Sequence, residues 1–189
     1  MSDNPANHPM TSSRRRFMSV IGSSLTLAAT APAALANIES RTPQRHLEFH
    51  HLHTGEKLAA TYWRDGGFDP GALDSINRVL RDFRTGDVYP IEQTLLDLLH
   101  QVKSELGTDG HYEVIGGYRS PKTNNMLRQR TTGVAKKSLH MQGRAIDVRI
   151  PGVSTQRLRE AAADLRRGGV GYYAKSNFVH IDTGRPRTW

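Results

Sequence analysis

The chain has 189 residues, a formal net charge of +8 and no cysteine. This length suits one compact domain, and the lack of cysteine excludes cysteine nucleophiles, thiolate zinc sites and iron–sulfur clusters. The basic residues form no stripe interleaved with aromatic residues, so we expect no nucleic-acid partner; the charge suits an acidic polymer or simply a soluble basic surface.

The N-terminal residues show the parts of an export signal in their usual order. A twin-arginine pattern at residues 13–18 is followed by an apolar run from residue 20 to residue 35. The run ends in an A-x-A cleavage pattern at residues 34–36. We therefore expect residues 1–36 to be a twin-arginine signal peptide. Residues 37–189 would then work in the periplasm, without stable insertion in a membrane.

The first half of the mature chain predicts a hairpin followed by two helices. Residues 46–63 alternate around a turn at residues 54–56, as a β-hairpin does. Asp69 and Pro70 then provide a helix N-cap and a proline for the first helical position. A second helix is predicted over residues 91–106, where apolar residues recur at helical spacing before a glycine.

The second half predicts short strands with helices between them. Strands are expected at residues 112–115, 145–150, 170–173 and 178–183, an irregular loop at 131–139, and helices after Pro121 and after Ser154. Within residues 145–150, Asp147 lies on the strand face opposite the apolar side chains. Helices early and strands late favour a single α+β domain with an antiparallel sheet.

Three residues near these strands are candidate metal ligands. His140 precedes the strand that carries Asp147, and His180 lies on a later strand. A catalytic zinc site needs three protein ligands and an open position, and two imidazoles with one carboxylate suit zinc. Zinc bound in this way lowers the pKa of its water to about 7. The spacing alone is equally compatible with structural histidines and a carboxylate paired with an arginine.

The spacing S-x-H-x6-D from Ser138 to Asp147, with a later H-x-D at His180, resembles the zinc D-Ala-D-Ala peptidases of the M15 family. Further runs resemble the exported murein endopeptidases of that family: residues 53–56, 117–124, 133–138 and 169–173. The resemblance covers nearly all of residues 46–189. It implies a hedgehog-type D-Ala-D-Ala-peptidase fold and one zinc ion.

By this resemblance, His140, Asp147 and His180 are the zinc ligands. The chain is expected to be a zinc metallopeptidase that hydrolyses cross-links between peptidoglycan peptide stems, at D-Ala–diaminopimelate or diaminopimelate–diaminopimelate bonds. Arg119 matches the family's substrate-contacting arginine. Ser138 is a candidate to bind substrate or to orient the loop before His140.

The general base is where the chain departs from the family pattern. Many M15 enzymes have a glutamate or aspartate three residues before the last histidine; here that residue is Asn177, which cannot accept a proton. Asp182 shares the strand face of His180 and is our first candidate for the base. The alternatives are a carboxylate that orients the histidine, or a cap at the end of the strand.

Three histidines on the hairpin have no predicted place in this zinc site. His51 and His53 share one strand face, opposite His50. All three are candidates to line the cleft, and an additional zinc or nickel site among them is a further possibility.

Two rival functions accompany the endopeptidase prediction. One is a D,D-carboxypeptidase that trims terminal D-Ala, because the sequence does not reveal the length of the cleft. The other is a peptidoglycan-binding module that keeps zinc but has lost catalysis, which the asparagine at position 177 permits.

Overall fold

The structure, a computed structural model, describes residues 43–189. The first element in this part of the chain is the expected hairpin. The predicted leader and its cleavage site lie outside these residues. The strands are β1 (Gln44–His51), β2 (Lys57–Arg64), β3 (Gly67–Phe68), β4 (Tyr112–Gly116), β5 (Ala145–Arg149), β6 (Gly169–Tyr173), β7 (Phe178–Asp182) and β8 (Arg187–Thr188). The helices are α1 (Pro70–Val79), α2 (Gln93–Leu106), α3 (Pro121–Arg130) and α4 (Thr155–Asp164).

All of these strands belong to one sheet, in the order β3-β2-β1-β4-β5-β7-β6-β8. The predicted α+β class is confirmed. Most neighbouring strands are antiparallel, as expected, but β1 with β4 and β6 with β8 are parallel, so the sheet is mixed. Parallel neighbours require a crossover connection, and the chain between β1 and β4 supplies one that includes α1 and α2.

One face of the sheet is apolar and is covered by helices. Alternate residues of β5, Ile146 and Val148, and of β7, Val179 and Ile181, are buried in the core. Helix α2 contacts β1 and α4, and α4 contacts β6 and β7. Because side chains alternate along a strand, the residues between these apolar ones point to the opposite face, where the candidate ligands lie.

Three helix ends fall at residues whose chemistry predicts them. The carboxylate of Asp69 accepts a hydrogen bond of 2.9 Å from the backbone N–H of Ala72, which caps α1. Ser154 caps α4 in the same way through the N–H of Arg157. Gly107 ends α2 in the left-handed conformation, with φ 61°.

Within residues 43–189, none of the helices is long and apolar enough to span a membrane.

The segment between β4 and α3 is held firmly against the loop that follows α1. The N–H of Tyr118 donates to the carbonyl of Leu80 at 2.7 Å, and the N–H of Ser120 donates to Asp82 Oδ2 at 2.8 Å. Asp82 is buried. A Cβ at Gly117 would lie 2.4 Å from the Leu80 carbonyl oxygen, so this close approach requires glycine. These contacts fix the backbone of Arg119, the predicted substrate-binding residue, which lies between Tyr118 and Ser120.

Candidate metal centre

Two of the predicted ligands lie directly opposite each other on neighbouring strands. Asp147 of β5 and His180 of β7 are register partners in an antiparallel pair. Paired residues project from the same face, and this face is the one turned away from the core. Asp147 Oδ1 lies 2.9 Å from His180 Nδ1.

The third predicted ligand comes from a 3-10 turn, Leu139–Gln142, that precedes β5. The side chain of His140 is buried, and its Nε2 lies 3.2 Å from His180 Nδ1 and 3.3 Å from Asp147 Oδ1. Its Nδ1 is 2.7 Å from the carbonyl oxygen of Gly117. A carbonyl can only accept a hydrogen bond, so Nδ1 is the donor in this contact and Nε2 is the nitrogen turned toward Asp147 and His180.

The three ligand-type atoms form a small triangle with sides of 2.9, 3.2 and 3.3 Å. A tetrahedral ion with ligands at about 2.0–2.1 Å holds neighbouring ligand atoms about 3.3 Å apart. The triangle of His140 Nε2, Asp147 Oδ1 and His180 Nδ1 therefore fits a metal ion of the size of zinc. Three protein ligands leave a fourth position for water or substrate.

Reciprocal hydrogen bonds hold the His140 turn against the segment after β4. The backbone N–H of Arg119 donates to the carbonyl of His140 at 3.1 Å, while the imidazole of His140 donates to Gly117. At the end of the turn, Gly143 has φ 64°, and a Cβ there would lie 2.1 Å from the carbonyl oxygen of Pro90. A larger residue at this glycine would displace the turn and the ligand that it carries.

His180 is held from its other edge by Asp182, which is fully buried. His180 Nε2 lies 2.9 Å from Asp182 Oδ2. Asp182 Oδ1 accepts from the backbone N–H groups of Gly169 and Gly184, at 3.0 and 2.8 Å. The guanidinium of Arg187 donates to both oxygens, at 3.0 and 2.7 Å. The carboxylate is thus saturated with donors. It accepts from Nε2 of His180 and so holds the ring with Nδ1 turned toward the triangle.

Two ionised carboxylates surround His180. Burial alone would lower the pKa of His180, but its hydrogen bonds to Asp147 and Asp182 outweigh that effect and raise the pKa to about 9. Burial would likewise raise the pKa of Asp147, yet His140 and His180 outweigh it and hold the pKa well below its ordinary range. The same negative field that retains a proton here attracts a metal cation.

The triangle lines a cleft of about 440 Å³, together with both predicted substrate-binding residues. Arg119 Nη2 lies 3.7 Å from Asp147 Oδ2, and the arginine side chain is largely buried. Ser138 immediately precedes the His140 turn, and its hydroxyl forms no capping bond with that turn. The structure therefore brings together the predicted ligands, the predicted substrate-binding residues and the candidate base: Arg119, Ser138, His140, Asp147, His180 and Asp182.

Three aromatic side chains that the sequence did not predict at this site form a wall of the cleft: Tyr173, Phe178 and Trp189. The rings of Tyr173 and Phe178 stack with centroids 4.6 Å apart. Trp189 Nε1 donates to the hydroxyl of Tyr173 at 3.1 Å, and the indole lies 5.3 Å from the ring of His180. Gly171 makes room for it, since a Cβ there would lie 2.6 Å from the indole. Tyr173 and Phe178 are register partners across β6 and β7, whereas Trp189 joins them only because β8 pairs with β6, which no local pattern predicts.

Asn177 occupies a tight bend immediately before β7. Its φ is 52°, a left-handed conformation that asparagine tolerates better than most residues. Its side-chain oxygen accepts a hydrogen bond of 3.3 Å from the hydroxyl of Thr155, at the start of α4. The geometry thus explains the asparagine as a turn residue that faces α4.

The prediction that the hairpin histidines line the cleft is wrong. His51 is fully buried and packs edge-on against Phe83. His53 stacks on the same phenylalanine with ring centroids 4.1 Å apart. His50 lies on the other face of the hairpin, beside His111. The cleft lining that the described residues form includes none of the three.

Comparison with known proteins gives a consistent family match. Residues 39–189 match the sequence model of an M15 peptidase family described as peptidoglycan L,D-endopeptidase MepK. The peptidoglycan L,D-endopeptidase MepK of Escherichia coli strain K12 is 42% identical over 176 residues, which cover 93% of this chain and 96% of that protein. The probable peptidoglycan L,D-endopeptidase MepK of Haemophilus influenzae is 40% identical over 177 residues, covering 93% and 95%. These matches confirm the resemblance that the sequence motifs indicated.

Proposed function

The chain belongs to the M15 peptidase family described as peptidoglycan L,D-endopeptidase MepK, and we propose that it is a zinc-dependent endopeptidase that cuts peptide cross-links of peptidoglycan. The observation that carries this proposal is the triangle of ligand atoms from His140, Asp147 and His180 on the wall of a cleft. These three residues would hold the ion. Zinc, when bound, acts as a Lewis acid that polarises a peptide carbonyl and acidifies water.

The name shared by the relatives favours one of the two predicted cross-links. An L,D-endopeptidase acts on a bond from an L-configured to a D-configured centre. The diaminopimelate–diaminopimelate cross-link has this configuration, whereas the D-Ala–diaminopimelate cross-link joins two D centres. We therefore propose the diaminopimelate–diaminopimelate bond as the substrate.

The charges of the cleft suit the free carboxylates of peptide stems. Arg119 and Lys137 both line the cleft, and Lys137 is exposed. Arg187 lines it as well but is engaged by Asp182. Arg119 and Lys137 attract a negatively charged peptide and hold it near the triangle.

Arg119 is the residue best suited to stabilise charge that develops on the substrate. Its guanidinium lies beside the second oxygen of Asp147, and its backbone is fixed by the bond to His140. A planar fork of donors next to the metal ligands can bind the oxyanion that forms when the peptide carbonyl is attacked. Ser138, on the same cleft, supplies a hydroxyl for the substrate backbone.

For Asp182 we propose the orienting role rather than the role of general base. Its oxygens already accept bonds from Arg187, Gly169, Gly184 and His180, and its side chain is fully buried. Burial alone would raise the pKa of Asp182, but its hydrogen bonds to His180 and Arg187 outweigh that effect and hold the pKa well below the ordinary range, so the carboxylate has little capacity for another proton. Its contribution is to keep the imidazole of His180 turned toward the metal.

The leader gives the proposed location, which is the periplasm after twin-arginine export. This proposal rests on the sequence alone, and an enzyme of the peptidoglycan network has to reach the cell envelope.

Export is tested by changing both arginines of the pair, Arg14→Lys with Arg15→Lys. We expect the double variant to remain uncleaved in the cytoplasm, because the transport machinery reads that pair. Immunoblots of periplasmic and cytoplasmic fractions provide the measurement, and Arg16→Lys, beside the pair, is the control that should be processed normally. Normal processing of the double variant would rule out this route.

The proposed activity is tested with purified dimeric muropeptides of each cross-link type. We expect the mature chain to convert diaminopimelate–diaminopimelate dimers to monomers. This hydrolysis should stop in the presence of a chelator and resume when zinc is restored. Mass spectrometry of the products gives the answer. Release of D-Ala alone would identify a carboxypeptidase, and binding without products would identify a non-catalytic module.

Arg119→Lys tests the role of the guanidinium. Loss of one donor to an oxyanion typically lowers kcat by about 10²–10³-fold, and a lysine cannot reproduce a two-pronged contact. We expect this loss with an unchanged zinc content, measured by elemental analysis of the same sample. Arg128→Lys, at an exposed position on α3, is the matched control. Unaltered turnover in Arg119→Lys would leave that arginine with a structural role only.

Asp182→Asn separates the two roles of this carboxylate. Loss of a group that orients a ligand lowers metal affinity by about 10–100-fold, so we expect weaker zinc binding and recovery of turnover when zinc is raised to saturation. Zinc titration and kcat are measured on one preparation, with the exposed Asp164→Asn as control. A lost kcat at full zinc occupancy would instead identify a general base, and wild-type zinc affinity would contradict the orienting role.

A further inference from the structure

A second group of ligand-type side chains lies outside the cleft. His50, His111 and Glu113 each offer an atom within 4.8 Å of the others, and all three side chains are half-buried. The rings of the two histidines have centroids 5.9 Å apart. None of these three residues belongs to the triangle, and none lines the cleft in which the triangle lies.

The parallel pairing of β1 with β4 creates this group. His50 and Glu113 are register partners across the two strands, so their side chains leave the sheet on the same face. Phe49 and Tyr112, the preceding residues on each strand, point into the core instead. His111 directly precedes Tyr112 and adds the second imidazole. The cluster is therefore built on the backbone of two hydrogen-bonded strands.

The charged side chains around the group limit how tightly it can hold a cation. Glu113 Oε2 accepts a hydrogen bond from Nε of Arg149 on β5, which orients the carboxylate and leaves its other oxygen free. Lys57 is the register partner of His50 on β2 and adds a second positive charge nearby. Arg149 competes with a metal ion for the single carboxylate, and the charge of Lys57 opposes a cation beside His50. The affinity here should accordingly be lower than at the triangle, where no lysine is a register partner of a ligand.

We propose that His50, His111 and Glu113 form a second site for a divalent metal ion, distinct from the centre in the cleft. Two imidazole nitrogens and one carboxylate oxygen are the donors that zinc and its late first-row neighbours prefer. In the sheet order, the pairing of β1 with β4 is the junction between the hairpin strands and the strands that carry the cleft. An ion held across this junction stabilises the folded sheet and does not enter the reaction.

The site is tested in a mature chain whose central site has been removed by His140→Ala with His180→Ala. With zinc as the probe, equilibrium dialysis and elemental analysis should still detect one ion per chain, and zinc should raise the Tm. Addition of His50→Ala should abolish both effects. His46→Ala is the matched control, because His46 lies on the same face of β1 without belonging to the cluster, and both effects should persist.

A second measurement avoids any dependence on that double variant. The otherwise unaltered chain should bind two zinc ions, whereas His50→Ala should bind one and digest muropeptides at the unaltered rate. Binding of one ion by the unaltered chain, with none left after His140→Ala, would overturn the second site. Zinc binding that His50→Ala does not diminish would overturn it too. An inactive chain with two ions would count against the proposed activity and not against this site.

Discussion

The polar side chains of the cleft are packed around the buried carboxylate of Asp147. A charge removed from water is strongly unfavourable unless opposite charges and donors surround it. His140, His180 and Arg119 all approach this carboxylate, at 3.3, 2.9 and 3.7 Å. They come from the turn before β5, from β7 and from the segment after β4. These elements must therefore pack together for the charge to be tolerated, and once packed they leave three ligand atoms converging on one point.

A second buried carboxylate extends this arrangement to the wall of the cleft. Asp182 contacts the far edge of His180 and is paired with Arg187, which begins β8. The guanidinium of Arg187 lies 4.7 Å from the ring of Trp189, and that indole in turn faces His180. The candidate metal centre and the aromatic wall are thus joined by one connected set of contacts. Asp182 is therefore linked through direct contacts both to the triangle and to the aromatic wall, although it is not one of the candidate ligands.

Features decided by near neighbours in the chain could be predicted from the sequence. The cap at Asp69 and the alternation that places Asp147 on the polar strand face each depend on only a few residues. The saturation of Asp182 could not be predicted, because its donors come from β6, from β8 and from the loop between β7 and β8. For the same reason the sequence did not reveal that His51 is buried against Phe83 or that β1 pairs in parallel with β4. Such contacts follow from packing between distant segments, which local periodicity does not encode.

Two carboxylates fix the orientation of His180, so that Nδ1 faces the triangle and Nε2 faces Asp182. Anomalous X-ray diffraction at the zinc edge, from crystals of the zinc-loaded mature chain, shows which nitrogen binds the ion. We expect a zinc peak at about 2.0–2.1 Å from His180 Nδ1 and His140 Nε2, with Asp182 still bonded to His180 Nε2. A zinc ion bound to Nε2 of His180, or no peak between His140, Asp147 and His180, would contradict it.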